Sequence, residues 1–271
     1  MKLLSKELLL NTGVSNWTPA VAALSSYQWW NALYDGTQFV LLGYLTTEGG
    51  YISTSTDGRT WETSSYIDAL KQKEWRGCFI YDGSQYMAIS YNGYIATSTD
   101  LETWTVSSSA ILGSYSWRSL TYAPNNTYKY IAIGYDGRIG YSTNGTSWNT
   151  SQITNLGSND WTSIVFDGYR FISLGYNGHI SYSPDGRASW SAAVQQLGSH
   201  NWNALTYDGT KLVALGSDGY TATATDSGPG YLWQNPVSNG NLANHQWLAL
   251  VANSQKLLAV DYYGYISTKR I

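Results

Sequence analysis

Residues 161–190 read WTSIVFDGYRFISLGYNGHISYSPDGRASW. Trp161 to Phe166 is rich in β-branched and aromatic residues, which suit a pleated, half-buried strand. Asp167-Gly168 then offers a tight hairpin turn, because glycine accepts a positive φ without steric cost. Tyr169 to Tyr176 is a second strand, and Asn177-Gly178 turns the chain with the same chemistry. His179 to Ser183 alternates as a third strand, Pro184-Asp185-Gly186 turns again, and Trp190 falls in a fourth. One block of this sequence therefore specifies a four-stranded antiparallel meander.

The block recurs. Trp30, Trp75, Trp117, Trp161, Trp202 and Trp247 open similar stretches 41 to 45 residues apart. A second series, Trp61, Trp104, Trp148, Trp190 and Trp233, lies between them. The first turn is also Asp35-Gly36, Asp82-Gly83 and Asp208-Gly209, with Pro124-Asn125-Asn126 and Asn253-Ser254 in its place in blocks three and six. The second is also Asn92-Gly93, Asp136-Gly137, Asp218-Gly219 and Tyr263-Gly264. Block one carries an insertion there, Leu45 to Gly50. A unit of this length cannot bury its own apolar face and must stack on its neighbours. The period fits the blade of a β-propeller. Helix is nearly absent; one helical turn is expected around Tyr66 to Lys73.

The sixth block stops after its third strand, Tyr265 to Thr268, and the chain ends at Ile271. Trp17, in Asn16-Trp17-Thr18, resembles the fourth-strand pieces around Trp61 and Trp148. Residues 15–22 are thus expected to pair with the strand near 264–269, which removes open sheet edges. The expected object is an all-β chain of one domain, 1–271. It is a six-bladed β-propeller with an N-terminal extension at 1–14, a closing strand at 15–22, and blades starting near 30, 75, 117, 161, 202 and 247.

Composition agrees. Aromatics are 15% and charged residues 12%, against about 25% charged in ordinary domains. The polar surface must come from Ser, Thr, Asn and Tyr. Net charge is −3, with no basic stripe for nucleic acid. Cys78 is the only cysteine, so no intrachain disulfide forms, and it is expected as a small buried apolar residue. Ser5, Lys6 and Glu7 interrupt the opening apolar run, so no secretory signal is visible. No stretch nears the ~18 apolar residues that cross a bilayer. Synthesis in a cytoplasm, and no membrane insertion, are expected.

The third turn is the most specific motif: Ser55-Thr56-Asp57-Gly58-Arg59-Thr60-Trp61, again at Ser98 to Trp104, Ser142 to Trp148 and, one residue longer, Ser183 to Trp190. In block five, Ala224 to Trp233, it is degenerate. A short acidic or amide side chain accepts the turn's backbone N–H groups, glycine takes the awkward dihedral, and the indole shields the turn. The pattern resembles the Asp-box, or bacterial neuraminidase repeat, of sialidases and of many non-enzymatic propellers, and departs from it at Leu101, Asn144 and Ala224. The resemblance implies a structural turn on the face away from the ligand.

The ligand is then expected on the opposite face, formed by the second turns and the loops between blades. Its candidate residues are Tyr44, Tyr91, Asn92, Tyr94, Tyr135, Arg138, Tyr176, Asn177, His179 and Tyr220. To these are added Trp75, Trp117, Trp161 and Trp202, whose rings could stack on sugar C–H groups. Uncharged polar and aromatic surfaces suit glycans, so the first expectation is a non-enzymatic module binding a cell-surface glycan or glycosylated receptor, as in a phage tail or virion component. The alternative is an assembly propeller that docks on a partner protein.

A sialidase-like glycosidase is a third possibility, since the catalytic members resembled use an arginine triad, a Tyr–Glu pair and an acidic proton shuttle. Only Arg76, Arg118 and Arg138 are expected on the ligand side, with Glu48 and Glu74 in reach, while Glu62 and Glu102 lie beside the boxes. His179, His200 and His245 sit on separate blades with no acidic second shell. No loop cradles phosphate, since each Gly-rich step is a turn. No metal or cofactor is expected.

Overall fold

A computed structural model describes residues 16–24, 27–45, 49–62, 64–228 and 230–271. The expected extension at 1–14, residue 15 of the expected closing strand, Glu7 and Glu48 lie outside them. The chain forms six antiparallel sheets. Blade 1 comprises Gln28–Tyr34, Phe39–Leu45, Gly49–Ser55 and Ser65–Ile67; blade 2, Cys78–Tyr81, Tyr86–Ile89, Ile95–Ser98 and Thr105–Val106. Blade 3 comprises Trp117–Tyr122, Tyr130–Gly134, Arg138–Ser142 and Asn149–Gln152; blade 4, Trp161–Phe166, Phe171–Gly175, His179–Ser183 and Val194–Gln195. Blade 5 holds Trp202–Tyr207, Lys211–Gly216, Tyr220–Asp226 and Tyr231–Trp233, and its third strand also pairs with Val237–Ser238.

Blade 6 has Trp247–Ala252, Lys256–Asp261 and Tyr265–Arg270, and takes its outer strand, Val21–Ala22, from the other end of the chain. Val21 opposes Ile266 and Ala22 opposes Tyr265. The Thr18 amide donates to the Thr268 carbonyl (2.8 Å) and the Ser267 hydroxyl donates to the Thr18 carbonyl (2.6 Å). Trp17 is buried among residues of blades 5 and 6. The helical turn near 66–73 is smaller than expected: Ser65–Ile67 is strand, and only Asp68–Leu70 forms a 3-10 turn.

The first strands of neighbouring blades touch one another all the way round and enclose a central channel. Side chains clamp this inner ring. The Ile164 amide donates to the Ser119 hydroxyl (3.1 Å) and the Leu205 amide to the Ser163 hydroxyl (3.1 Å). The apolar core lies between blades, in six clusters, one for each interface. Cys78 belongs to one of them, and burial pushes its thiol far above the ordinary cysteine range, which leaves it unreactive.

Three of the interfaces are fastened by the same kind of part. A glycine in the third turn packs on the second strand of the preceding blade. A Cβ at Gly58, Gly145 or Gly186 would come within 2.8 Å of Leu258, 2.7 Å of Met87 or 2.7 Å of Ile131. Each of these glycines also has a positive φ. Blade 2 solves the same problem differently. Leu101 holds φ 68° without being glycine, and it joins a cluster containing Val40, the shorter residue that blade 1 has where Leu258, Met87 and Ile131 stand. On the same side of the ring, Tyr86 donates to Asp35 (2.6 Å) and Tyr130 to Asp82 (2.7 Å), each tying a blade to the first turn of the one before.

Candidate functional site

A register not evident from the tryptophans alone organises the second-turn face. The residue equivalent to Trp75, Trp117, Trp161, Trp202 and Trp247 in blade 1 is Trp29, not Trp30: Trp29 opposes Gly43 as Trp117 opposes Gly134. With that correction every block carries a leucine five residues before its tryptophan: Leu24, Leu70, Leu112, Leu156, Leu197 and Leu242. The five from Leu70 onward are essentially fully buried. The indole N–H then donates back to a carbonyl of the interblade loop: Trp75 to Leu70 (2.7 Å), Trp161 to Leu156 (3.2 Å) and Trp247 to Leu242 (2.6 Å). A buried indole needs such an acceptor.

Trp75, Trp117, Trp161 and Trp202 are therefore structural. All four are 0% exposed, so no sugar can stack on them. Tyr44, 2% exposed, is likewise removed from the surface. Burial and the nearby Glu74 raise its phenol pKa.

A second repeated contact accounts for most of the residues that follow the second turns. In five blades the loop residue two before the tryptophan lies on the first ring or chain of the third strand. Tyr27 stacks on Tyr51 (3.7 Å), Lys73 covers Tyr94 (4.0 Å), Arg138 covers Tyr115 (4.3 Å), and His200 stacks on Tyr220 (3.8 Å). His245 packs on Tyr265 at 4.6 Å. Tyr94, Arg138 and Tyr220 thus pin the interblade loops, on strands two removed from the channel. His179 occupies the equivalent place in blade 4, half-buried. Tyr176 is 37% exposed. Asn92 and Asn177 are exposed turn tips, and the Asn177 carbonyl accepts from Gln195 (2.9 Å).

Tyr91 and Tyr135 differ, because their rings lie against Arg76 and Arg118 beside the channel mouth. In five blades a register shift follows the buried tryptophan. Such a bulge re-aims a side chain, and here the residue after the tryptophan reaches the mouth. Around the ring these are Trp30, Arg118, Thr162, Asn203 and Leu248, which line the channel, and Arg76, whose guanidinium lies over the Trp30 ring beside it. Blade 2 reaches the same geometry through Gly77, φ 83°, where any Cβ would collide with the Arg118 carbonyl.

The mouth has two unlike halves. On one, Thr162 donates to the Trp202 carbonyl (2.9 Å) and Asn203 to the Trp247 carbonyl (2.9 Å). Their polar groups are spent on the neighbouring blade. On the other half, the Arg76 guanidinium lies 5.0 Å from the Trp30 ring and 5.8 Å from Tyr91. Arg118 lies 5.4 Å from the same Tyr91 ring and 4.4 Å from Tyr135, to whose hydroxyl it donates. The Trp30 indole meets Tyr262 edge-on at 5.5 Å. Arg76 engages Glu74 at 3.5 Å. Burial raises the Tyr135 phenol pKa against the pull of Arg118, and Asp160 pushes it further up.

Sequence reasoning placed Arg76 and Arg118 on this face but did not select them, and it missed Trp30 as a mouth residue. The signal was available in the six-fold repeat: the residue after the six tryptophans is Trp, Arg, Arg, Thr, Asn or Leu by block, and only the Leu-x4-Trp spacing fixes which position that is. Beneath the mouth the channel has a volume of about 350 Å³ and is lined by the first strands of all six blades, with Ser119, Thr121, Ser163 and Thr206 beside Leu120 and Leu205. Among the described residues no group of His, Cys, Asp and Glu could hold a metal ion, and no helix is long and apolar enough to cross a membrane.

No known family profile matches the chain, and no curated protein does. Solved structures do match over nearly the whole length. "YCF48 bound to D1 peptide" aligns with TM-score 0.64 at 13% identity, covering 94% of this chain and 97% of that one. A catalytically inactive virginiamycin B lyase from Staphylococcus aureus with quinupristin aligns with TM-score 0.66 at 8% identity, covering 95% and 100%. The Neurospora crassa Pan2 WD40 domain gives 0.61 at 9%, covering 94% and 95%. The chain, a six-bladed β-propeller of four-stranded antiparallel sheets, is similar to these in its propeller fold.

Proposed function

We propose that this propeller is a non-enzymatic recognition module that seats a segment of a partner protein over the channel mouth on its second-turn face. The observation that carries the proposal is the unequal mouth: Trp30, Arg76, Arg118, Tyr91 and Tyr135 form one aromatic and cationic half, while the other half is satisfied within the protein. Aromatic and arginine side chains clustered at a concave site are the usual anchors of protein recognition. A similar propeller is described with a bound peptide, which supports the same use of the fold. The glycan expectation loses the four tryptophans it leaned on, since all are buried. The virion or phage setting has only composition behind it.

The test is a peptide array probed with the purified chain, beside a glycan array and a fluorogenic sialoside assay. Saturable peptide binding is expected, weakened at least about tenfold when Tyr91 and Tyr135 are both changed to alanine, with the melting temperature held. Glycan hits without peptide hits, or turnover of the sialoside, would overturn the proposal.

A further inference from the structure

Three side-chain donors at the mouth, Trp30 Nε1, Arg76 Nε and Arg118 Nε, are buried and have no hydrogen-bond partner among the described residues. They come from three consecutive blades and stand at the same position of the repeat. A buried donor without an acceptor costs about 1–3 kcal/mol, and more when charged. Three together are a standing cost that an acceptor from outside would remove. Arg118 adds a second cost. Its contacts are the Tyr135 hydroxyl and two aromatic faces, with no carboxylate among the described residues. Elsewhere on the protein the partly buried Arg170 is paired with both Asp167 and Asp226.

We infer that Trp30, Arg76 and Arg118 form a seat for a single carboxylate, carried by the protein segment that the propeller binds. This inference rests on the proposed function and names the chemistry of its anchor. All three unpartnered groups are donors, so the ligand must be an acceptor. The charge count favours one negative charge: Arg76 and Arg118 supply two positive charges and Glu74 offsets one at 3.5 Å, which leaves one for a carboxylate to balance. A dianion such as phosphate would leave a negative charge uncompensated there. The aromatic walls exclude water and strengthen a charge-assisted hydrogen bond, and the planar guanidinium suits a planar carboxylate.

The probes are N-acetylglycine, its neutral counterpart N-acetylglycinamide, and sulfate, followed on the indole N–H resonance of Trp30 in 15N-labelled protein and assigned with Trp30→Phe. N-acetylglycine is expected to move that resonance saturably, the amide to leave it in place, and sulfate to bind more weakly. Arg118→Gln is expected to weaken carboxylate binding at least tenfold, and Arg118→Lys to recover part of it. Should Arg118→Gln melt at a lower temperature, Arg76→Gln carries the same comparison. Equal shifts with the amide, stronger binding of sulfate, or full binding by both glutamine variants would overturn the seat.

Array peptides are then remade with a free C-terminus, as C-terminal amides, and as amides with internal Asp and Glu neutralised. Loss on amidation identifies a chain terminus as the carboxylate, and loss on neutralisation identifies an acidic side chain; either supports the seat. Peptides that bind equally in all forms and to Arg118→Gln overturn the seat and leave protein recognition standing. Saturable N-acetylglycine binding with no peptide bound upholds the seat and removes protein recognition.

Discussion

A leucine held at positive φ is the clearest single-residue compromise in this chain. A left-handed backbone costs a non-glycine residue about 1–2 kcal/mol. Leu101 accepts that cost at a place where Gly58, Gly145 and Gly186 avoid it. What it returns is volume: its side chain, 9% exposed, fills the cluster that Val40 leaves short of carbon. Deleting a buried leucine side chain costs about 2–5 kcal/mol, so packing outweighs strain. Leu101→Gly should therefore destabilise the protein by about 1–3 kcal/mol in urea titration. Adding Val40→Leu should restore at least half, because it rebuilds the wall that Leu258, Met87 and Ile131 supply at the glycine-bearing interfaces. If Leu101→Gly alone proves stabilising, strain dominates and this ranking is wrong.

At the scale of the element, the third turn is a small charged device. Asp57 Oδ1 accepts the Arg59 and Thr60 amides, both at 2.7 Å, and the Ser55 hydroxyl at 3.0 Å. The Thr60 and Arg59 amides are the chief reason its carboxyl is held down to about 2. Asp100 and Asp185 are lowered in the same direction. A carboxyl that is harder to protonate when folded stabilises the fold above its unfolded pKa of about 3.9, and that stability is lost as pH falls toward 2. Asp57→Asn should thus lower stability at pH 7. The gap from the native protein should shrink from about pH 4 downward and close near pH 2, read from denaturant midpoints at each pH. A gap that stays constant with pH would show that the charge is irrelevant and only the acceptor matters.

These turns were legible in the sequence because their physics is local. Asp, Asn and Gly choose a turn without help from the rest of the fold, and Trp61, Trp104 and Trp148 mark it by position. The blade boundary at Trp29 was not legible in the same way. Trp29 and Trp30 are adjacent and chemically alike, and only the leucine five residues earlier or the pairing with Gly43 separates them. Part of the candidate site was misplaced for a related reason, while Tyr91 and Tyr135 stay beside the mouth. Tyr94, Arg138 and Tyr220 recur at one position of the repeat, and recurrence marked a packing role. The residues left for recognition are those that differ between blades at an equivalent position, as Trp30, Arg76 and Arg118 differ from Thr162, Asn203 and Leu248.

For the whole molecule, stability depends on a ring with no gap. Trp17, 3% exposed, is the chief apolar anchor of the closing segment, and Asn241 donates to its carbonyl at 2.6 Å. Trp17→Ala should cost about 3–5 kcal/mol, as for other buried aromatics cut to alanine. It should also free the edge of Tyr265–Arg270 and raise aggregation on heating, since an unpaired edge recruits other strands. Differential scanning calorimetry with light scattering reads both. A melting temperature unchanged by Trp17→Ala would mean that the ring holds without its latch.

The latch also sets a timetable for birth. Thr18 and Ser267 are 249 positions apart. At ordinary translation speeds of about 5–20 residues per second, the N-terminal segment leaves the ribosome tens of seconds before its mate is made. Blades one to five can assemble in order during that wait, but the final one cannot be completed until residues 265–270 have been made. Nascent chains stalled short of Tyr265 would present a loose ribbon at one end and an unfinished sheet at the other, and that is the interval in which a chaperone would have most to guard.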